Sequence, residues 1–281
     1  MTLRIDPITP TVGARVYVSP DHVLDEGVPE QLLAALEQYG VLVLPENGMS
    51  DEVFTALTDR MGPAHDLGVT AEEGTEETKA GVYRIALDKD DPMQLDFVRG
   101  NDWWHMDGTV YDTPGKATLL KCEQPPSSGG DTGFAMLDAA WNALPAERRE
   151  MLDGLTVRHA FRAVGKKLYG DYSDEQAAAW DAFFPPIEHP LVWHRKDGTT
   201  SMMIGVTAYD IPEMDRAEAE ALLDDLYQFA TQDRFSYRHK WKKGDVVIFH
   251  NPAMLHRSYP YDKDSGRLMH RTTIAGTEAV V

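Results

Sequence analysis

HKWKKGDVVIFHN, residues 239 to 251, sets a polar approach and a Gly244-Asp245 turn ahead of the apolar run Val246 to Phe249. Four apolar residues bounded by turn signals are too few for a helix and suit a strand buried on both faces. Downstream, GRLMHRTTIAG (266 to 276) reads as a second strand, joined to the first through a Tyr/Pro/Asp-rich hairpin. Upstream, KATLLKCEQ (116 to 124) and GVYRIALD (81 to 88) alternate as strands do, and PPSSGGDTGFA (125 to 135) is turn chemistry running into another. Helical spacing marks PEQLLAALEQYG (29 to 40), SDEVFTALTDRMG (50 to 62) and RAEAEALLDDLYQFATQ (216 to 232), with VLVLP (41 to 45) a short buried strand between the first two. AMLDAAWNALPAERREMLDGL reads as two helical segments split at Pro145, followed by a strand at TVRHAF. Strands thus fall on both sides of a central helical stretch. That order disfavours a regular βαβ alternation and favours an antiparallel barrel or jelly roll decorated by helices.

No repeat and no linker rich in Pro, Gly or Ser divides the 281 residues, so a single domain, 1–281, is expected, with a helical insertion at roughly 136–235. AHDLGVTAEEGTEETKA (64 to 80) is polar and Gly/Glu/Thr-rich, the composition of a lid-like loop. The net charge of −19 argues against nucleic acid or an anionic membrane as partner, because phosphate binding needs clustered Lys and Arg. A lone cysteine, Cys122, excludes an internal disulfide and a cysteine-rich zinc site, and fits a reducing cytoplasm. The first residues have no signal-peptide pattern, and no window approaches 18 apolar residues. A homo-oligomer, dimer or tetramer, is compatible with all of this.

NDWWHMDGT (101 to 109) carries the chemistry. With 10 histidines and 46 acidic residues, about 1.6 His-x-Asp/Glu pairs are expected by chance, so His105-x-Asp107 decides nothing alone. On an extended stretch the two side chains share a face, and a second histidine would complete a site of two histidines and one carboxylate with open positions for ligands. His250 and His256 both qualify. His250 sits inside the apolar strand and reads as a core residue; His256 is favoured for its company, since Arg267 and Arg271 follow it. Four residues apart on a strand, these two guanidiniums look into one cavity and call for anionic partners in so acidic a chain. Trp103 and Trp104 read as packing on opposite faces. Tyr83, Phe97, Met106, Tyr169 and Trp193 are aromatic or thioether residues that fill cores as readily as they line pockets.

Asn101, Trp104, His105, Asp107, the GGDT run at Gly129 to Thr132, KKGDVVIFHN, His256, Arg267 and the closing HRTTIAG together resemble the Fe(II)/2-oxoglutarate-dependent dioxygenases of the taurine and dichlorophenoxyacetate dioxygenase (TauD/TfdA) type. The resemblance covers residue 81 to the end. It implies an α+β fold with a double-stranded β-helix (jelly-roll, cupin-like) core, flanking helices and a lid. It implies that His105, Asp107 and His256 ligate Fe(II), and that Thr132 and Arg267 hold the distal carboxylate of 2-oxoglutarate. Arg271 lies beside the C1 carboxylate and the acidic group of a substrate; Asn101 and His65 correspond to positions that contact substrate. The 64 to 80 stretch departs from the family pattern. With O2 as the other co-substrate, the implied reaction hydroxylates a C–H bond of a small anionic molecule, a sulfonate, sulfate ester, aryloxyalkanoate or amino acid, releasing succinate and CO2. Halogenases of this type carry a small residue where Asp107 stands, so oxygenation is implied; desaturation on the same scaffold stays open. A zinc-dependent hydrolase using the same three ligands would leave Thr132, Arg267 and Arg271 unexplained, and a metal-free jelly-roll binding protein would leave all three ligands unexplained.

Overall fold

A computed structural model describes residues 2–65, 81–87 and 98–281, without the side chain of Phe183. The expected lid, beyond Ala64 and His65, lies outside the described residues, as do Asp88 and Phe97. The described residues form fifteen strands: β1 (Arg4–Pro7), β2 (Ala14–Tyr17), β3 (Val41–Leu44), β4 (Tyr83–Ile85), β5 (Ala117–Gln124), β6 (Thr132–Met136), β7 (Thr156–His159), β8 (Ile187–Pro190), β9 (Val192–His194), β10 (Thr200–Met202), β11 (Ala208–Asp210), β12 (Ser236–His239), β13 (Val246–His250), β14 (Met254–Ser258) and β15 (Leu268–Ile274). The helices are α1 (Val28–Tyr39), α2 (Asp51–Met61), α3 (Leu137–Ala143), α4 (Ala146–Leu152), α5 (Phe161–Tyr169), α6 (Asp174–Phe183) and α7 (Arg216–Ala230).

A seven-stranded sheet runs β1-β2-β3-β13-β5-β15-β4, antiparallel but for the β2–β3 pair. A three-stranded antiparallel sheet, β12-β6-β14, packs against it. Side-chain alternation separates two layers of core. Val43, Leu120, Val247, Phe249 and Met269 meet Phe134, Met136 and Met254 between the sheets. Leu42, Leu44, Leu119, Val246 and Ile248 face outward onto Leu32 and Leu36 of α1 and Phe54 and Leu57 of α2. The apolar run at 246 to 249 is therefore buried on both faces because it sits between two layers. α1 ends at Gly40, whose φ of 69° and N–H bond to the Leu36 carbonyl turn the chain straight into β3. α2 starts at Ser50, whose hydroxyl accepts from the Val53 amide, with Asp51 and Glu52 in its first turn.

One connection differs from the expectation. β13 and β15 are not joined by a hairpin: β14 intervenes and belongs to the small sheet, so consecutive strands β13, β14 and β15 alternate between sheets. The Asn251–Ala253 turn and the 259–267 segment carry the chain across. The segment between β6 and β12 holds not only helices α3 to α7 but also β7 to β11, in two small sheets. Among the described residues no helix is long and apolar enough to cross a membrane.

Candidate metal centre and its cavity

His256 lies on β14, and its backbone exchanges two hydrogen bonds with His105 (2.8 and 3.0 Å), a single bridge that seats the 101 to 109 segment on the sheet. That segment is turn on either side of the bridge rather than the extended strand its alternation suggested. Asp107 still reaches the same place, because Gly108 (φ 84°) folds the chain against Pro114, where a Cβ would come within 3.0 Å. Trp104 is the packing residue of the pair: it is buried, its ring lies over Gly133, where a Cβ would meet it at 2.6 Å, and its amide donates to the Tyr227 hydroxyl. Trp103 is half-buried and contributes its carbonyl, which accepts from His105 Nδ1 at 2.9 Å.

That bond leaves His105 Nε2 with a lone pair. Nε2 of His105 and of His256 lie 3.8 and 3.7 Å from the same oxygen, Asp107 Oδ1. These separations are too long for hydrogen bonds, so three donor atoms surround a common point without satisfying one another. Burial lowers the His105 pKa and takes that of His256 down to about 3, with the neighbouring imidazole adding to the second shift. Both rings are therefore neutral. Burial alone would raise the Asp107 pKa, but the Arg271 guanidinium and the two imidazoles outweigh it and hold the carboxyl well below the usual range. Its other oxygen, Oδ2, accepts from Arg271 at 2.7 Å and from Thr118 Oγ1 at 3.1 Å. Two neutral imidazoles and one carboxylate oxygen on one side of a point make the donor set that divalent iron takes in oxygenases, and the residues present fit such an ion.

A cavity opens beside this cluster. Asn101, His65 and Arg271 line it, with Tyr83, Met106, Phe161, Val164, Phe184 and Val206 as its apolar wall. His65 is tied to β15 through its amide and the Thr273 carbonyl (2.8 Å), and its ring stands edge-on to Tyr111. Of the aromatic residues left open above, Tyr83 and Met106 reach the cavity, Trp193 is core and Tyr169 is exposed. Phe161, Val164 and Phe184 come from α5 and the end of α6, a helical pair whose sequence gave no sign that it reaches the site. His250 stands outside the cluster, buried beside Arg195.

Thr132 and Arg267 do not line that cavity. They lie around the GGDT run, near the start of β6 and of β15. The run needs its glycines: at Gly129 (φ 68°) a Cβ would collide with the Pro260 carbonyl oxygen at 2.3 Å, and at Gly130 (φ 65°) it would meet Pro126 and the Arg267 stem. Arg267 is 7% exposed, donates through Nε to the Gly130 carbonyl, and forms no ion pair among the described residues. Thr132 Oγ1 accepts from Trp241 Nε1 at 2.9 Å. Trp241, Thr118 and Asn251 escaped the sequence reading; the signal for Thr118 was a hydroxyl inside the apolar run ATLL.

Residues 4–273 match the family described as "Taurine catabolism dioxygenase TauD, TfdA family". The (S)-phenoxypropionate/alpha-ketoglutarate-dioxygenase of Sphingobium herbicidovorans is 33% identical over 279 residues, 98% of this chain and 96% of that one. The alpha-ketoglutarate-dependent 2,4-dichlorophenoxyacetate dioxygenase of Cupriavidus pinatubonensis is 28% identical over 285 residues, 97% and 98% of the two chains. Among solved structures, AAD-2 in complex with Mn(II) and N-oxalylglycine superimposes with a TM-score of 0.82 at 28% identity, covering all of both chains. With nearly its whole length matched, the chain belongs to the TauD/TfdA dioxygenase family.

Proposed function

We propose that this chain is a non-haem Fe(II)- and 2-oxoglutarate-dependent dioxygenase of one domain, built on a double-stranded β-helix, that hydroxylates a C–H bond of a small anionic substrate with release of succinate and CO2. The alternation of β13, β14 and β15 between two sheets supports the fold. The observation that carries the chemistry is the convergence of His105 Nε2, His256 Nε2 and Asp107 Oδ1 on one point without mutual hydrogen bonds.

His105, Asp107 and His256 would hold the iron, which when bound supplies the activation of O2 that this reaction class needs. Arg267 binds the distal carboxylate of 2-oxoglutarate: a buried guanidinium with no carboxylate of its own is costly until an anion arrives. Thr132 assists, because its oxygen already accepts from Trp241 and its own proton is left to donate. Arg271 sits between the ligands and the cavity. One terminal nitrogen is committed to Asp107 and Nε reaches Thr273 Oγ1 at 3.4 Å, which leaves donors for an acid group of the co-substrate or substrate. Asn101 and His65 line the same cavity and are the polar contacts proposed for the substrate body.

Arg271 is the one arginine or lysine among the described residues lining the cavity, and the wall is aliphatic and aromatic. That combination favours a substrate with one acidic group on an apolar body, an aryloxyalkanoate-like molecule, over a compact sulfonate or amino acid. The relatives named for phenoxypropionate and 2,4-dichlorophenoxyacetate support the same reading. The test is the anaerobic complex of the purified protein with Fe(II) and 2-oxoglutarate: a visible charge-transfer band requiring both components is expected, followed by succinate formation matched to loss of an aryloxyalkanoate on admitting O2. No band, with zinc-dependent hydrolysis in its place, would overturn the assignment.

A further inference from the structure

Asp107 sits in a turn and not on a strand, so its backbone does little to set which carboxylate oxygen faces the imidazoles. The side chains that do so come from the sheet. Thr118, wholly buried on β5, donates to Asp107 Oδ2 at 3.1 Å, and its hydroxyl also lies 3.2 Å from both Oδ1 and Nδ2 of the Asn251 side chain. β5 is held on both sides, Thr118 facing Phe249 of β13 and Thr273 of β15. Asn251 is equally buried, in the turn that leaves β13, with its backbone N–H bonded to the Lys116 carbonyl.

The proton count fixes the direction of this chain. An ionised carboxylate only accepts, and a hydroxyl has one proton to give. Thr118 must donate that proton to Asp107, so Asn251 must present its Nδ2–H to Thr118 rather than its oxygen. We infer that Thr118 and Asn251 are positioning residues for the metal centre, a two-step relay, Asn251 Nδ2–H to Thr118 Oγ1–H to Asp107 Oδ2, that occupies one carboxylate oxygen and aims the other at the metal. The inference rests on the metal-centre reading above. Arg271 shares Oδ2 with Thr118, but Arg271 also faces the cavity and its ligands. Thr118 has no second task, so it is the donor that stays with Asp107 whatever occupies the cavity.

Titration of the metal-free full chain with Mn(II), followed by the electron paramagnetic resonance signal of the free ion, tests this. Partners behind a metal ligand set affinity by roughly 10- to 100-fold. Thr118→Val is expected to weaken Mn(II) binding about tenfold or more, while Thr118→Ser restores it and Asn251→Leu gives a smaller loss. Because Asn251 acts through Thr118, the double variant Thr118→Val/Asn251→Leu should bind no worse than Thr118→Val alone. Wild-type affinity in Thr118→Val, equal losses in the Val and Ser variants, or additive losses in the double variant would each overturn the relay. Wild-type affinity in His256→Ala would instead overturn the metal centre itself, a result that the Thr118 variants do not produce.

Discussion

β5 and β15 each carry polar or charged residues on both faces, and the two faces have opposite fates. On the inner face Asp107, His105 and His256 gather next to Thr118 and Arg271. On the outer face Asp51, Glu123 and His270 gather just as closely, each set bringing its ligand atoms within 4.8 Å of one another. The difference lies in what fills the middle. The buried Lys121 ammonium enters the outer cluster, 2.5 Å from Asp51 and 2.6 Å from Glu123, and His270 Nδ1 closes on Asp51 at 2.9 Å. There every charge already has a partner. Inside, the shortest distances from an imidazole nitrogen to the carboxylate are 3.7 and 3.8 Å, and lone pairs remain. Proximity of ligand types makes a candidate; donors left unsatisfied by one another make a site.

The most severe way to break this contrast is to remove one residue from each face. His256→Ala deletes a proposed ligand outright, so its loss of Mn(II) affinity should exceed the roughly 10- to 100-fold typical of supporting residues, with turnover falling in parallel. Asp51→Asn should leave one Mn(II) bound per chain at wild-type affinity. A second Mn(II) in the wild type that disappears in Asp51→Asn would show the outer cluster to be a site as well.

The outer cluster should matter to stability instead. Lys121 is nearly enclosed, and removing one partner of a buried pair costs about 3–5 kcal/mol because the other charges stay behind. Glu123 is a third exposed, so Lys121→Met should fall near the low end, about 3 kcal/mol in urea unfolding of the metal-free chain. Mn(II) affinity should not change. A large loss of metal affinity at unchanged stability would reverse the roles assigned to the two faces.

How much of this the sequence carried depends on how far each signal reached along the chain. The buried run at 246 to 249, the two helices around VLVL and the break at Pro145 are local patterns, and the structure repeats them almost residue for residue. The meeting of His105, Asp107 and His256 was legible because the motif that surrounds them is itself a stretch of sequence. The pairing of β14 was not: a five-residue strand between two turns reads as part of a connection, and only its partner β6, more than a hundred residues away, shows that it belongs to the other sheet. The cavity wall was lost for the same reason, since Phe161 and Phe184 reach the site through the packing of α5 and α6, held by Trp180 against Gly165. Arg267 was legible as a buried cation; the expectation that it looks into one cavity with Arg271 was not matched among the residues lining that cavity, because Arg267 precedes β15, whose register shifts between Leu268 and Met269, so the regular four-residue alternation does not hold.

The mildest change sharpens the same criterion at that distal end. Thr132 Oγ1 accepts from Trp241 Nε1 at 2.9 Å, so its proton is the donor left over, as Asp107 Oδ1 is the acceptor left over between the two imidazoles. Trp241→Phe keeps most of the ring that packs between the sheets and removes only this N–H. Without it, the Thr132 hydroxyl is free to rotate and must be ordered again when a carboxylate binds. One neutral hydrogen bond is worth about 1 kcal/mol, or roughly fivefold. KM for 2-oxoglutarate should therefore rise about fivefold, with kcat and Mn(II) affinity unchanged, because neither the ligands nor the substrate wall is touched. A fall in kcat at constant KM would place Trp241 and Thr132 outside the co-substrate recess and leave Arg267 as its sole anchor.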